Sequence, residues 1–489
     1  MKKLFSVVCL CALVSFALLI VAQTGCKPAK SDEMPITTAS KEARKLYIEG
    51  RELAEYYHIN KANDLFKRAV EIDPEFALAY LYKGGTSSET KDFQEGLAKA
   101  VSLAPKVSEG EQKLIAGQQA AVGENNAAKA NQIYQELAGL FPKDKRIHWY
   151  LAGTYGGLQE FDKEIAALEK AIALDKNFAP VYETLGYVYR WRNQFDKAEE
   201  AFKEYERLSP QEANSHDILG DLYMKMGKFE DTIQRYSEAV RMDPTFVFSQ
   251  SKIGSTLALM GKFEEGRQAF LKAMDMQVKP ASKVYDQEGI MRTYVYEGDY
   301  AKALEAADKA IQMAKELGLP EEASFNPLVK SAIYCELGDF EKADACIADC
   351  LNFLESTDLV ALIKENQKAE AAFWQAMVAA GRQDFNTALA RAETYKQQIA
   401  AIKNPAMQKY PGWLFGYVAL AQGDARKAIE YFSQGEMDDP WFMYYFAVAK
   451  EKAGDAAGAA ELYKKVANWN MDSVFYAFVR QKAAAKLWP

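Results

Sequence analysis

The chain has 489 residues, of which 26% are charged and 49% apolar, and its formal net charge is −8. Those proportions suit a folded, water-facing protein, and the length is ample for several globular domains or one long repeat array. An acidic balance without a clustered basic surface argues against nucleic acid as a partner. The three histidines, His58, His148 and His216, stand far apart and in no ligand or catalytic spacing.

In chain order, Met1-Lys2-Lys3 is followed by a nearly uninterrupted apolar run from Leu4 to Ala22. A basic start before an apolar run reads as an export signal. The run ends Gln23-Thr24-Gly25-Cys26, which resembles the lipobox of bacterial lipoproteins, although that family usually has leucine where Gln23 stands. The resemblance implies a signal peptide over 1–25 and a diacylglycerol on Cys26. Lys27 in place of aspartate implies the outer membrane, facing either the periplasm or the cell surface. The same run also reads as an ordinary cleaved signal or as an uncleaved membrane helix, being nearly long enough to span a bilayer. Residues 26–42 are expected to form the lipidated N-terminus and a flexible tether; the other reading is that part of this stretch caps the first repeat.

From residue 43 to 280 one register governs the chain. Phe161, Phe195, Phe229 and Phe263 stand 34 residues apart, and the same step backwards reaches Ala127, Phe93 and Ile59. Nine residues before this anchor lies a small residue in most units (Gly50, Gly84, Ala152, Gly186, Gly220, Gly254), and seven after it a large one (Phe66, Tyr134, Leu168, Phe202, Tyr236, Phe270). Pro74, Pro142, Pro210 and Pro244 close units. The units over 77–110 and 111–144 are degenerate, with Ala100 for the large residue and Gln118 for the glycine. A 34-residue period predicts stacked helix–turn–helix units, in which the small residue lets two helices approach and the large one fills the gap. Tyr182, Leu185, Gly186, Tyr189, Phe195, Ala198, Phe202 and Pro210 carry the fullest version of the pattern, and it resembles the tetratricopeptide repeat (TPR) family.

After Pro280 the anchors continue as Tyr300, Phe340, Phe385, Ala425 and about Ala456, at wider and uneven intervals. Longer helices or loops are expected over 281–472, and a capping helix over 473–489 with Phe475, Phe478, Val479 and Leu487 on one face. The expectation is an all-α fold, a right-handed α-solenoid of about 11–12 TPR-like hairpins.

No metal signature, phosphate loop or nucleophile elbow occurs, so neither catalysis nor a cofactor is expected. Cys335, Cys346 and Cys350 read as packing residues, with a Cys335–Cys346 bridge as the alternative. The TPR resemblance implies a concave groove lined by the first helix of each hairpin. On this chain it would hold Tyr47, Arg51, Trp149, Tyr187, Arg190, Trp191, Asp217, Asp221, Tyr285, Arg292, Tyr410, Trp413 and Tyr417. These rings either bind or only pack. Asp217 and Asp221 would repel the C-terminal carboxylate that some TPR modules clamp. The expected function is a non-enzymatic scaffold for protein or peptide partners of an envelope complex, membrane-bound through its lipid; the alternative is a solute-binding lipoprotein for glycans or peptides.

Overall fold

The computed structural model describes residues 32–487, apart from 57, 88, 403–406 and 435–436. The expected signal peptide over 1–25 and the expected lipidation site Cys26 lie outside the described residues. Among those described, the backbone forms 25 α-helices and no strand. The structure is an all-α repeat solenoid of helix hairpins.

The chain divides into two compact units after Pro210. The first holds α1 (Lys41–Glu55), α2 (Ile59–Ile72), α3 (Ala77–Gly85), α4 (Thr90–Leu103), α5 (Glu109–Gln118), α6 (Ala127–Leu140), α7 (Lys145–Gly157), α8 (Phe161–Leu174), α9 (Ala179–Trp191) and α10 (Phe195–Leu208). The second begins with three more pairs, α11 (Ala213–Lys225) and α12 (Phe229–Met242), α13 (Val247–Leu259) and α14 (Phe263–Met276), α15 (Pro280–Glu297) and α16 (Tyr300–Glu316). It continues through α17 (Pro320–Leu337), α18 (Phe340–Glu355), α19 (Ala361–Gly381), α20 (Phe385–Ile402), α21 (Tyr410–Ala421), α22 (Ala425–Phe432), α23 (Pro440–Lys452) and α24 (Ala456–Ala467), and ends in α25 (Val474–Leu487).

The sequence register has a plain structural meaning. Ile59, Ala127, Phe161, Phe195, Phe229 and Phe263 are each the first residue of a second helix, and so are Tyr300, Phe340, Phe385, Ala425 and Ala456. Two residues ahead of the anchor the chain turns through positive φ, at Gln159, Asn193, Gly227, Gly261, Gly298 and Gly338. In the second unit Asp299, Asp339, Asp424 and Asp455 then cap the second helix through the backbone N–H three residues on, satisfying a donor that the helix itself leaves open.

The regular hairpins close by seating a ring on a glycine. A methyl group built on Gly186 would lie 2.3 Å from Phe202 Cε1, and one on Gly220 would lie 2.5 Å from Tyr236 Cε1. Phe66, Phe202, Tyr236 and Phe270 are fully buried in this way. The two degenerate units reach the same end by other means. Where Ala100 replaces the ring, the helices close backbone to backbone, and a methyl on Gly96 would lie 2.8 Å from Gly84 Cα. In the next unit the working glycine is Gly117, whose added methyl would meet Tyr134 Cε2 at 2.7 Å, rather than a residue at the expected position 118. Residues Gln119–Gly123 wind as a π-helical turn, which absorbs the one-residue slip before α6 begins. The wider intervals after 280 are largely longer helices: α15 and α17 have 18 residues and α19 has 21, against 13 in α9, α11 and α13.

Residues 34–40, expected as the end of a flexible tether, are instead strapped to the first unit. The N–H groups of Met34, Thr37 and Ala39 donate to Asp144 (3.0 Å), Glu111 (2.7 Å) and Asp73 (3.1 Å), while Met34 and Ile36 pack on its core. Glu111 is wholly buried and also accepts from the backbone and hydroxyl of Ser108, at 3.0 and 2.6 Å. Three carboxylates at hairpin ends thus supply acceptors for a segment with no strand partner of its own.

Two outcomes follow from this packing. Gly186→Ala is expected to lower stability by about 1–3 kcal/mol through overpacking, and Phe202→Leu in the same chain should recover part of the loss, both read by urea denaturation. Glu111→Ala should cost about 2 kcal/mol and open residues 34–40 to limited proteolysis, since it removes the strap's central acceptor and the Glu111 half of the capping box that starts α5.

Candidate binding surface

In the second unit, first helices of successive hairpins pack on one another: α13 on α15, α17 on α19, α19 on α21 and α21 on α23. They form its inner layer, and the expected site residues lie on first helices in both units.

In the first unit much of that layer is consumed by packing. Tyr47 is 1% exposed, against Phe76 at 5.1 Å and edge-on to Tyr82 at 5.3 Å; it is a core residue and lines no groove. Arg51 covers the Tyr47 ring at 5.7 Å and lies 3.9 Å from Glu55. Arg146 of α7 grips the two oxygens of Glu55 at 2.6 and 3.1 Å, and the Tyr82 and Tyr150 hydroxyls bond to each other at 2.6 Å. This network draws α1, α3 and α7 together with its charges paired, as half-buried ions require. Trp149 wedges between α7 and α9, its Nε1 donating to Thr184 (2.8 Å) and its ring edge-on to Phe178 (5.5 Å). Tyr187 leans edge-on against Phe202 at 5.2 Å with the Arg190 guanidinium 5.0 Å above it. Trp191, at the end of α9, is 69% exposed.

In the second unit Asp217 and Asp221 do not stand as bare negative charge. Lys252 bridges them at 2.7 and 2.8 Å, Ser249 donates to Asp217 at 2.6 Å, and Tyr236 donates to Asp221 at 2.7 Å. Burial pushes the Asp217 carboxyl up, while Lys252 pulls it down. Phe248, half exposed, lies against Tyr285 at 5.5 Å. Arg292 sits over the Tyr285 ring at 5.0 Å and is buried against Asp472 at 3.0 Å. Tyr410 is edge-on to Trp413 at 5.1 Å, and Trp413 has no exposed surface. Tyr417 stacks on Trp441 at 6.1 Å. Trp413 and Arg292, like Tyr47, have too little free surface to meet a partner in this state.

Sequence reasoning missed Trp469 and Asp472. They lie in a loop, residues 468–473, without periodicity or motif. Only the fold brings that loop to Lys225, Ser255 and Arg292.

Among the described residues no cluster of three or more His, Cys, Asp or Glu side chains is placed to hold a metal. Cys335, Cys346 and Cys350 are free thiols, pushed up by burial to about 12, 11 and 12, which leaves them protonated and unreactive. Two carboxyls stand out: burial raises Glu164 and Glu370 to about 7, and Glu164 accepts no side-chain hydrogen bond among the described residues. Among those residues, no helix is long and apolar enough to cross a membrane.

The sequence model of the tetratricopeptide repeat family matches residues 146–178 and 213–246, which are the hairpins α7–α8 and α11–α12. Solved structures resemble parts of the chain. One is MamA, at 22% identity over 35% of this chain and 95% of that one, with a TM-score of 0.30. Another is YrrB, described as a TPR protein with an unusual peptide-binding site, at 21% identity, 38% and 94% coverage and TM-score 0.29. A third is a tetratricopeptide repeat protein of Parabacteroides merdae ATCC 43184, at 12% identity, 56% and 98% coverage and TM-score 0.35. No curated protein sequence matches the chain.

The buried Glu164 makes stability depend on pH. Its folded-state value of about 7 lies above the ordinary 4.5, so the folded chain favours the protonated acid. The cost of ionising it is absent below about pH 4.5, grows as pH rises, and is complete above about 7. Glu164→Gln is therefore expected to raise stability by about 2 kcal/mol at pH 8 and to change little at pH 4.5, as read from melting temperatures across that range.

Proposed function

We propose that the chain is a non-enzymatic interaction scaffold of the bacterial envelope, anchored by a lipid on Cys26, whose first helices receive protein or peptide partners. The observation that carries this reading is the end of α9, where Trp191 is 69% exposed beside Tyr187 and the overlying Arg190. Aromatic and arginine side chains dominate the energetics of protein contacts, and a solvent-facing tryptophan gains most from being covered. Phe248 repeats the theme on α13, half exposed with Lys252 5.4 Å from its ring centre. Tetratricopeptide repeats serve widely as protein-binding modules, and the family matches flank α9 on both sides.

The N-terminal strap adds a geometric consequence. Asp32 already pairs with Lys143 at 3.2 Å. Only six peptide units separate it from Cys26, about 20 Å when fully extended. A lipid on Cys26 therefore holds the first unit close against the bilayer, where a free stretch to residue 42 would allow a much longer reach.

Trp191→Ala is expected to leave the melting temperature unchanged and to reduce capture of discrete envelope proteins in pull-downs at least several-fold. Unchanged capture would remove this surface from consideration. Binding on a glycan array, or a sugar-dependent thermal shift, would favour a solute receptor instead. Metabolic labelling with a fatty-acid analogue, lost in Cys26→Ala, tests the anchor.

A further inference from the structure

The loop 468–473, between α24 and α25, does not stay at the end of the second unit. Trp469 lies beneath the Lys225 ammonium, 4.1 Å from ring centre to nitrogen. Asn470 donates to the Lys225 carbonyl at 3.5 Å. Asp472 reaches deepest: one carboxylate oxygen accepts from Ser255 at 2.7 Å and from Arg292 Nε at 3.0 Å, and the other accepts from Tyr296 at 3.2 Å. The Asp472 and Arg292 side chains are only 6% and 7% exposed. Residues remote in sequence therefore occupy the layer formed by α11, α13 and α15.

Closing the last hairpin does not require this. α25 covers α24 with Tyr476, Phe478 and Val479, all buried, and apolar cover is what the end of a repeat array needs. A buried ion pair adds little stability over apolar packing of the same shape, but it discriminates sharply between occupants that carry the charge and those that lack it. The Asp472 pairing is also incomplete. Arg292 Nη2 is buried without a hydrogen-bond partner, so the guanidinium fork is engaged at Nε alone, whereas a carboxylate approaching freely binds such a fork at two nitrogens. The backbone of the loop bonds only locally, Asn468 N–H to Lys464, Trp469 N–H to Val466, Met471 N–H to Trp469, and the Ser473 carbonyl accepting from Ala477. Its own hold on α11, α13 and α15 is through side chains, while α25 beyond it docks on α15 with Arg480 and Gln481 donating to the Leu259 and Tyr296 carbonyls.

We propose that the face of α11, α13 and α15 is a peptide site, that Trp469–Asp472 is its resident occupant, and that the partner it fits carries an aromatic side chain three positions before a carboxylate. The inference rests on the interaction-scaffold reading and supplies the site and the ligand chemistry. Lys225 takes the aromatic ring, as ammonium ions do when desolvated over indole; Arg292, Tyr296 and Ser255 take the carboxylate. The resident segment is tethered by the chain itself, so its effective concentration is in the millimolar range, and a free competitor meets a masked site.

The test uses the full chain and a dye-labelled synthetic peptide of residues 466–475, read by fluorescence anisotropy. Asp472→Asn frees Arg292 and is expected to bind the peptide at least tenfold more tightly than the unsubstituted chain. A peptide carrying asparagine for its aspartate should not bind, and adding Arg292→Met should abolish binding. Hydrogen exchange over 468–473 should quicken in Asp472→Asn, with α13 and α15 unchanged. Because that variant leaves a buried guanidinium unpaired, Trp469→Ala serves as a second route: it loosens the loop without stranding a charge, and it too should bind the peptide more tightly. If a folded variant of either kind binds no better than the unsubstituted chain, or if neither variant folds, the loop is a fixed part of the array and the proposal is wrong. Capture of envelope proteins by the unsubstituted chain, lost in Trp191→Ala, alongside that result would sink this inference alone and leave the scaffold reading standing.

Discussion

A ring seated where a Cβ is missing is the contact on which the rest of this structure depends. Gly186 under Phe202, Gly220 under Tyr236 and Gly254 under Phe270 let paired helices approach until one side chain fills the gap between them. The hairpin so made still has an uncovered apolar face, and stacking the next hairpin buries it. The contact recurs every 34 residues in the regular units, where glycine and ring face each other across the hairpin. Its tolerance is shown by the two degenerate hairpins. One closes through Gly84 and Gly96 without a ring; the other uses Gly117 against Tyr134 and winds an extra π turn to regain phase.

The layer of first helices inherits a conflict from this arrangement. The residues that pack neighbouring hairpins together lie beside those that face solvent, and both kinds are often aromatic. Tyr47 and Trp413 fall on the packing side, Trp191 and Phe248 on the open side. Charges in the layer are mostly paired, through Arg146 with Glu55 in the first unit and Lys252 with Asp217 and Asp221 in the second. Such pairs hold first helices together, and they restrict which partner charges the layer tolerates.

Each unit also carries an irregular segment folded onto it by carboxylates. In the first, residues 34–40 hang their backbone N–H groups on Asp73, Glu111 and Asp144. In the second, Asp472 is buried against Arg292, Ser255 and Tyr296. The first arrangement shortens the reach from the proposed lipid anchor. The second fills a face that would otherwise be open to a peptide. Both follow from one physical rule: a segment without a strand or helix ladder needs acceptors or donors from elsewhere, and buried carboxylates supply strong ones.

Much of the fold was legible in the amino-acid order. The period, the small and large residues at fixed offsets and the closing prolines are local signals, and every anchor but Phe93, which lies inside α4, is the first residue of a second helix. Pairing of Gly117 with Tyr134 was not legible, because a π turn shifts the count and leaves no mark in composition. The same limit applied to the surface. Spacing alone puts Tyr47, Trp149, Trp191 and Trp413 on equivalent faces of their helices, yet which ring is covered depends on the neighbouring hairpin. What the sequence by itself determined was the repeat and its hairpins, since those rest on contacts within about 34 residues. What only the tertiary structure decided was which charges pair and which segments return to cover the layer: Glu55 with Arg146, Thr37 with Glu111 and Asp472 with Arg292 lie 91, 74 and 180 residues apart. Partners at such separations are chosen by the stacking of the whole unit, and no local pattern encodes them.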